Sequence, residues 1–311
     1  MALVDVETTR AAVTANLFQK RRDLRGAVFQ AVLLLTLLMS VAILIVLLTS
    51  IVTDAWPTLQ DRGTDFVTQG LAAKPEDAGV WQGVLGSFVI MLFVILLAFP
   101  VGLAAAIYLE EYARDSRFTR LVNVNIRNLA GVPSVVYGLL GLAIFVNTLG
   151  NVTGGDSILA AGLTIAILVL PIVIITSAEA IRAVPTALRE AGYGLGATQW
   201  EVIRGHVLPY AAPGILTGTV LSLARALGEA APLILIGADT FYRLAEGTPL
   251  LDRLQGPFTA LPYIVFDWSR NPSKEFREIA AAAIFVMLVV LLAANAAAIL
   301  LRNHYEKRRS A

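Results

Sequence analysis

The chain contains 311 residues, of which 57% are hydrophobic and only 15% carry a charge. Soluble domains are roughly 25% charged, so this composition indicates an integral membrane protein. Cysteine is absent, which excludes disulfide bonds, thiolate nucleophiles and cysteine-ligated metal centres. The formal net charge of +1 gives no indication of a nucleic-acid partner, and we expect none.

A polar tail, 1–26, precedes the first of six apolar segments. A helix needs about 20 apolar residues to cross the hydrocarbon of a bilayer. The segments that we predict to be transmembrane helices are 27–52, 83–109, 129–146, 158–178, 213–237 and 279–301. The first is too long for a signal-peptide core and lacks a small-residue cleavage site, so it is expected to remain as an anchor. The sequence therefore predicts an all-α integral membrane protein with one domain, 27–301, and a second polar tail, 302–311.

Lysine and arginine predict the orientation of the helices, because they are enriched in cytoplasmic loops. With both termini in the cytoplasm, sixteen of the 24 basic residues lie on the cytoplasmic side, seven lie outside and Arg225 lies in the membrane. The loop 185–209 then faces the compartment that contains ATP, and the long loop 238–278 faces outward. We expect a multi-pass protein in contact with the lipids of the inner, or plasma, membrane.

The predicted helix 213–237 carries small and charged residues along one stripe. At steps of three and four residues, these are Gly214, Gly218, Ser222, Arg225 and Glu229. An arginine inside a membrane costs on the order of 3 kcal/mol, so it is expected to face other helices or water and to have a function. The alternative is an ion pair that only locks helices together. Pro232 removes the hydrogen bond to the carbonyl of Gly228, which should loosen the helix beside Glu229.

The preceding loop contains signals for two short helices outside the bilayer. Pro185 fits a first helical position, and Gly196 is expected to end the helix that follows. Thr198 and Glu201 have the spacing of a capping box, which predicts the start of a second helix.

The residues of this loop resemble the EAA loop of ABC importer permeases. That pattern is Glu-Ala-Ala, three residues, Gly, nine residues, and then Ile-x-Leu-Pro. The matching residues are Glu190, Ala191, Gly196, Leu208 and Pro209. Gly192 replaces the third alanine and His206 replaces the isoleucine, so the pattern has two departures.

Further segments narrow the resemblance to the PstA-type membrane subunit of the phosphate-specific ABC importer. They are LARALGEAAPLILIG, AAIYLEEYA, GVPSVVYGL and LPYIVFDW, and the match covers most of the chain after residue 26. The resemblance implies the type I importer permease fold and transport of inorganic phosphate. It also implies three kinds of partner: a second permease of the PstC type, a dimer of PstB-type ATPases and an extracytoplasmic phosphate-binding protein.

Other motifs are missing from the sequence. It contains no P-loop, so ATP and Mg²⁺ are expected on the separate ATPase, and we predict no cofactor on this chain. It also lacks HExxH, GxSxG and clustered carboxylates, so we predict neither catalytic residues nor a metal site. The contacts with the ATPase are expected at Glu190, Ala191, Gly192, Gly196 and Trp200. Trp200 would fill a pocket on the ATPase, or alternatively pack on the permease's own helices.

Three residues are predicted to line the substrate pathway. Arg225 offers paired N–H donors that fit a phosphate, and Glu229 would hold it when the pathway is empty. The sequence AGVPS would break a helix in the membrane, with Pro133 at the first helical position and Ser134 beside amide groups that point toward an anion. The alternative for this break is a proline kink that serves packing.

The outer loop 238–278 carries aromatic side chains that suit a membrane–water interface, among them Phe258 and Trp268. We interpret this loop either as a platform for a binding protein or as a solvated loop. For the whole chain, the alternatives to phosphate import are an ABC permease for sulfate or molybdate and an ion-coupled secondary transporter. In the latter, Arg225 and Glu229 would form a charge relay.

Overall fold

The computed structural model describes residues 24–240 and 249–310, and all regular secondary structure in these residues is helical. Most of the predicted N-terminal tail therefore lies outside the described residues, as does part of the outer loop. The helices are α1 (Leu24–Arg62), α2 (Thr64–Thr68), α3 (Trp81–Tyr112), α4 (Arg117–Ala130), α5 (Ser134–Thr148), α6 (Gly150–Thr153), α7 (Ile158–Arg182), α8 (Thr186–Gly194), α9 (Gln199–Gly228), α10 (Ala231–Ile236), α11 (Leu250–Leu254), α12 (Leu261–Arg270) and α13 (Lys274–Ser310).

Five of these helices are long and apolar enough to cross a membrane: α1, α3, α7, α9 and α13. Helices α4 and α5 make a sixth crossing only when they are counted together, and they meet at an angle of 98°. The break that the sequence AGVPS predicts in the span 129–146 is therefore confirmed, with α4 ending at Ala130 and α5 beginning at Ser134. Pro133, with ψ of 137°, is the residue before α5 and not its first helical residue, and it forces the chain to turn.

The part of α1 before residue 51 forms a compact unit of its own, and its side chains are exposed along the whole length. An apolar helix without a buried face is typical of a segment that lies in lipid or against another membrane protein. At the other end of the chain, α13 continues through the predicted C-terminal tail to Ser310. The cytoplasmic orientation of both termini stays a prediction.

Helix α7 is the most buried of the candidate spans and forms the centre of the unit that begins at residue 51. Three helices approach it closely where they carry glycine, because a Cβ atom at each of these positions would lie 2.2–2.7 Å from an α7 side chain. Small residues allow such approach between membrane helices. The pairs are Gly102 of α3 with Val173, Gly141 of α5 with Thr164, and Gly218 of α9 with Thr176.

Helices α3 and α9 each contain a π turn shortly before a proline. The turn Val94–Ala98 precedes Pro100, and the turn Ile203–Val207 precedes Pro209. Proline lacks the amide hydrogen that would bond to the carbonyl four residues earlier, so one extra residue is accommodated in the turn. The second helix of the loop therefore continues as α9, which begins at Gln199, before the predicted start of the span at residue 213.

The predicted end of this span is also wrong, since α9 stops at Gly228 and not near residue 237. Glu229 has φ of −84° and ψ of 108°, and the chain resumes as the short helix α10 two residues later. Pro232 lies in the first turn of α10, where its missing amide hydrogen costs nothing. The predicted loosening beside Glu229 is confirmed as a complete break.

Two aromatic side chains of the outer loop do not lie at an interface. Phe258 is 1% exposed and Trp268 is 2% exposed, and the Trp268 ring packs between Phe66 and Phe276. Trp268 belongs to the core that α12 forms with α13 and the residues around α2, whereas Phe258 belongs to the core around α7. Burial also raises the pKa of the Tyr263 hydroxyl in α12, with a smaller contribution from nearby carboxylates.

Candidate coupling loop and substrate pathway

Helix α8 presents the first residues of the predicted ATPase contact to solvent. Pro185 is the residue before the helix and not its first helical residue. Glu190 and Ala191 are exposed, whereas Gly192 is buried. A Cβ atom at Gly192 would lie 2.8 Å from Val202 and 3.4 Å from His206. The two departures from the EAA pattern, Gly192 and His206, thus face each other where α8 crosses α9.

Gly196 forms the turn between α8 and α9. Its φ of +81° lies in the left-handed region, which residues with a Cβ atom rarely adopt, and no atom crowds its side-chain position. The capping box is confirmed: the amide of Thr198 donates to the Glu201 carboxylate at 2.8 Å, and the amide of Glu201 donates to the Thr198 hydroxyl at 3.4 Å. The turn between the two helices is therefore specified by local backbone chemistry.

Three large apolar side chains are exposed on this loop. Leu195 is 88% exposed, Trp200 50% and Tyr193 45%. A cluster of exposed apolar side chains on a polar loop is typical of a surface that contacts another protein. Trp200 was predicted from the sequence, whereas Tyr193 and Leu195 were not, although their position inside the EAA-like segment was a signal for them.

Two ion pairs that were not predicted from the sequence lie at the base of the loop, one joining α8 to α3 and one joining α7 to α3. Arg189 of α8 donates to Glu111 of α3 at 2.8 and 3.1 Å, and Arg182 of α7 donates to Glu110. In the first pair, Arg189 is 19% exposed and Glu111 only 5%. Two consecutive glutamates at the C-terminal end of a helix oppose its dipole, which was the signal that they have cationic partners.

Arg225 and Glu229 form an ion pair at the end of α9. The Nε atom of Arg225 donates to a carboxylate oxygen of Glu229 at 3.2 Å, and Arg225 stays 45% exposed. Both residues belong to one stretch of chain, so the pair does not join two helices. The rest of the stripe packs on α7, with Gly214 against Ala180 and Gly218 against Thr176.

Ser134 is the first residue of α5 and is partly exposed. One turn later, Gly138 packs against Pro232 of α10, so α5 lies beside the break that follows α9. The hydroxyl of Tyr137 donates to the carbonyl of Leu129 at 3.0 Å. The structure thus brings Arg225, Glu229 and the start of α5 into one region. The coupling residues lie at the opposite end of α9. Among the described residues, no group of three potential metal ligands is found.

Residues 98–310 match the family model described as "Binding-protein-dependent transport system inner membrane component". The chain is 32% identical to the phosphate transport system permease protein PstA 1 of Mycobacterium tuberculosis, over 81% of this chain and 80% of that protein. It is 31% identical to the phosphate transport system permease protein PstA of Haemophilus influenzae, over 76% of this chain and 79% of that protein.

Two solved structures of a bacterial alginate ABC transporter contain a chain with a similar fold. One is similar with a TM-score of 0.62 and 15% identity, over 90% of this chain and 96% of that chain. The other is a complex with an alginate pentasaccharide-bound periplasmic protein, and is similar with a TM-score of 0.63 and 16% identity, over 93% of this chain and 98% of that chain. At this identity, the likeness establishes the fold, which is that of an ABC importer permease.

Proposed function

The chain belongs to the family of binding-protein-dependent transport system inner membrane components, and from this membership we propose that it is the PstA-type permease subunit of an ATP-driven importer of inorganic phosphate. The observation that carries the proposal is the identity of about one third, over most of both chains, to permease proteins named for phosphate transport. The subunit is a non-catalytic permease that forms half of the translocation pathway.

The proposed complex divides the work among several chains. A second, PstC-type permease completes the pathway, and a phosphate-binding protein delivers the anion on the outer side. Two PstB-type ATPases bind ATP and Mg²⁺ on the cytoplasmic side. Their hydrolysis of ATP supplies the energy for the transport cycle. This chain contributes no residue to hydrolysis, because its sequence contains no P-loop.

The coupling surface consists of α8 and the first turn of α9. Glu190, Ala191 and Trp200 are exposed there, and the exposed Leu195 extends the apolar part of this surface. Gly192 and Gly196 set how closely α8 approaches α9 and how the chain turns between them. Because α9 runs without a break from Gln199 to Gly228, movement of its first turn is transmitted directly to Arg225.

Arg225 is the residue that we assign to the anion. A guanidinium stays protonated at any physiological pH and offers parallel N–H donors that fit the oxygens of phosphate. In this structure the guanidinium donates one hydrogen bond of 3.2 Å to the carboxylate of Glu229. A single, partly exposed contact is weak, so phosphate displaces it readily and is released readily. Ser134 adds a hydroxyl at the start of α5.

The test is uptake of radiolabelled phosphate into proteoliposomes that contain this chain and its three kinds of partner. We expect uptake to require ATP and binding protein, and excess unlabelled phosphate to compete while equal sulfate or molybdate does not. Competition by sulfate or molybdate would assign the permease to another oxyanion. Uptake driven by an ion gradient without ATP would identify a secondary transporter and contradict the proposal.

A further inference from the structure

Helix α3 is tied to the coupling loop at its C-terminal end. The guanidinium of Arg189 binds the carboxylate of Glu111 through two nitrogens. Its remaining donors bind the carbonyl oxygens of Val184 at 2.7 Å and Ile181 at 3.0 Å, at the end of α7. The side-chain amide of Gln199, the first residue of α9, donates to the carbonyl of Glu111. One partly buried group of side chains thus connects α8 with α3, α7 and α9.

Loss of any one of these charged side chains is expected to destabilise the arrangement. Glu111 lies in the π turn Tyr108–Tyr112, where the helix dipole disfavours a negative charge, and its carboxylate is almost fully buried. Removing one partner of a buried ion pair leaves an uncompensated charge, which is strongly destabilising. The neighbouring pair differs, since Arg182 is 57% exposed and its ion pair with Glu110 joins α7 to α3.

The opposite end of α3 is in direct contact with residues 259–270 of the predicted outer loop, which include α12 and are called the outer segment below. The amide of Leu261, the first residue of α12, donates to the hydroxyl of Ser87 at 2.9 Å. A Cβ atom at Gly86 would lie only 1.8 Å from the carbonyl oxygen of Thr259, so the two backbones touch. From Ser87 to Glu111 the helix is roughly 36 Å long, at about 1.5 Å per residue. This length is sufficient to cross the hydrocarbon of a bilayer, which is about 30 Å thick.

We propose that α3 transmits movement between the coupling loop and the outer segment, with the Glu111–Arg189 pair as its positioning element on the ATPase side. The inference rests on the proposed function, since it assumes an ATPase at α8 and a binding protein near α12. Movement of α8 toward or away from the membrane then shifts α3 along with α9. The tight contact at Thr259 carries this shift to α12, where a binding protein would detect it.

The experiment uses the absence of cysteine in the chain. Ser269→Cys introduces one thiol at an exposed position of α12. Its rate of labelling by an impermeant maleimide is measured in the assembled complex, with and without ATP and vanadate. We expect ATP to change this rate by about fivefold to tenfold in the Ser269→Cys parent, because movement of α12 alters the access of the thiol to reagent.

Substitutions at the two ion pairs distinguish a loss of transmitted movement from a loss of stability of the complex. Arg189→Ala should reduce the ATP-dependent change to within about twofold of the rate without nucleotide, and Arg189→Lys should restore part of it because the charge is retained. Glu111→Gln should act like Arg189→Ala. Arg182→Ala, the matched control, should keep the full change. Each complex is first checked for assembly and ATP hydrolysis.

Three results would overturn the inference: no ATP-dependent change in the parent, a full change in assembled Arg189→Ala, or an equal loss in the Arg182→Ala control. If Arg189→Ala does not assemble, Arg189→Lys and Glu111→Gln decide the question. Phosphate uptake is measured in the same vesicles. A parent that shows the labelling change without phosphate uptake would contradict the proposed function and support transmission through α3.

Discussion

The two ion pairs Arg225–Glu229 and Arg189–Glu111 contain the same residue types but have opposite geometries. In the first, one bond of 3.2 Å joins residues four apart in the chain, and the exposed fractions are 45% for Arg225 and 17% for Glu229. In the second, two guanidinium nitrogens bind a carboxylate on another helix, and the arginine also binds two backbone carbonyls. The burial differs as well, with exposed fractions of 19% for Arg189 and 5% for Glu111.

The two geometries suit two different roles. One pair can exchange its partner for an anion, whereas the other keeps two helices together. An exposed pair contributes about 0–1 kcal/mol, so an arriving anion breaks it easily. Breaking a buried pair costs about 3–5 kcal/mol, so the elements that it joins move together. On this comparison, Arg225 is free to exchange partners during transport, whereas Arg189 keeps α8 and α3 in a constant arrangement.

The largest effect is expected from Arg225→Gln, which removes the only charge that we assign to the anion. Phosphate uptake should fall by about 100-fold or more, because a bidentate charge-assisted contact is lost. Arg120→Gln is the control, since it breaks an exposed ion pair with Asp115 outside the proposed pathway. Wild-type uptake by an inserted and assembled Arg225→Gln variant would return the Arg225–Glu229 pair to a purely structural role.

A second effect is expected at the turn of the coupling loop, away from both ion pairs. In Gly196→Val a β-branched residue must adopt φ of +81°, at a cost of about 1–3 kcal/mol. The amount of phosphate transported per ATP hydrolysed should fall by about tenfold, because α8 no longer keeps its angle to α9. Gly194→Val is the control, since Gly194 has open space and no positive φ. Equal loss in both variants would mean that backbone conformation is not the cause.

A smaller effect is expected from Glu229→Gln, which removes the carboxylate that competes with the anion for Arg225. With Arg225 no longer engaged by a carboxylate, phosphate should bind more tightly and leave more slowly. Both KM and the maximal uptake rate are expected to fall by about threefold, in line with the small energy of an exposed pair. Steady-state uptake over a range of phosphate concentrations measures both quantities. A higher KM with an unchanged rate would show that Glu229 does not compete with phosphate.

Ser134→Ala should have the smallest effect. Loss of one hydroxyl hydrogen bond to the anion corresponds to about 1 kcal/mol, so KM for phosphate should rise by about threefold to fivefold. Ser222→Ala, in which the deleted hydroxyl bonds only to its own helix at Gly218, should leave KM unchanged. If both variants transport like the wild type, the break before Ser134 serves packing and not anion binding.

Local chemistry explains which features could be predicted from the sequence. The apolar segments, the turn at Gly196, the capping box at Thr198 and the break beside Pro232 each depend on residues within one or two helical turns. Backbone donors, proline rings and glycine conformations act over that range, so the sequence alone determined them. It also determined that an arginine would lie in a membrane helix beside a glutamate.

Tertiary structure alone decided which distant groups meet. Glu111 and Arg189 are 78 residues apart, so their pairing depends on how α3 and α7 pack, and no local pattern encodes it. The burial of Trp268 likewise follows from packing between helices. Local chemistry fixed the membrane class, the turns and the arginine of α9. Packing between helices decided the connection between the coupling loop and α3, because close contact between distant segments is a property of the folded chain.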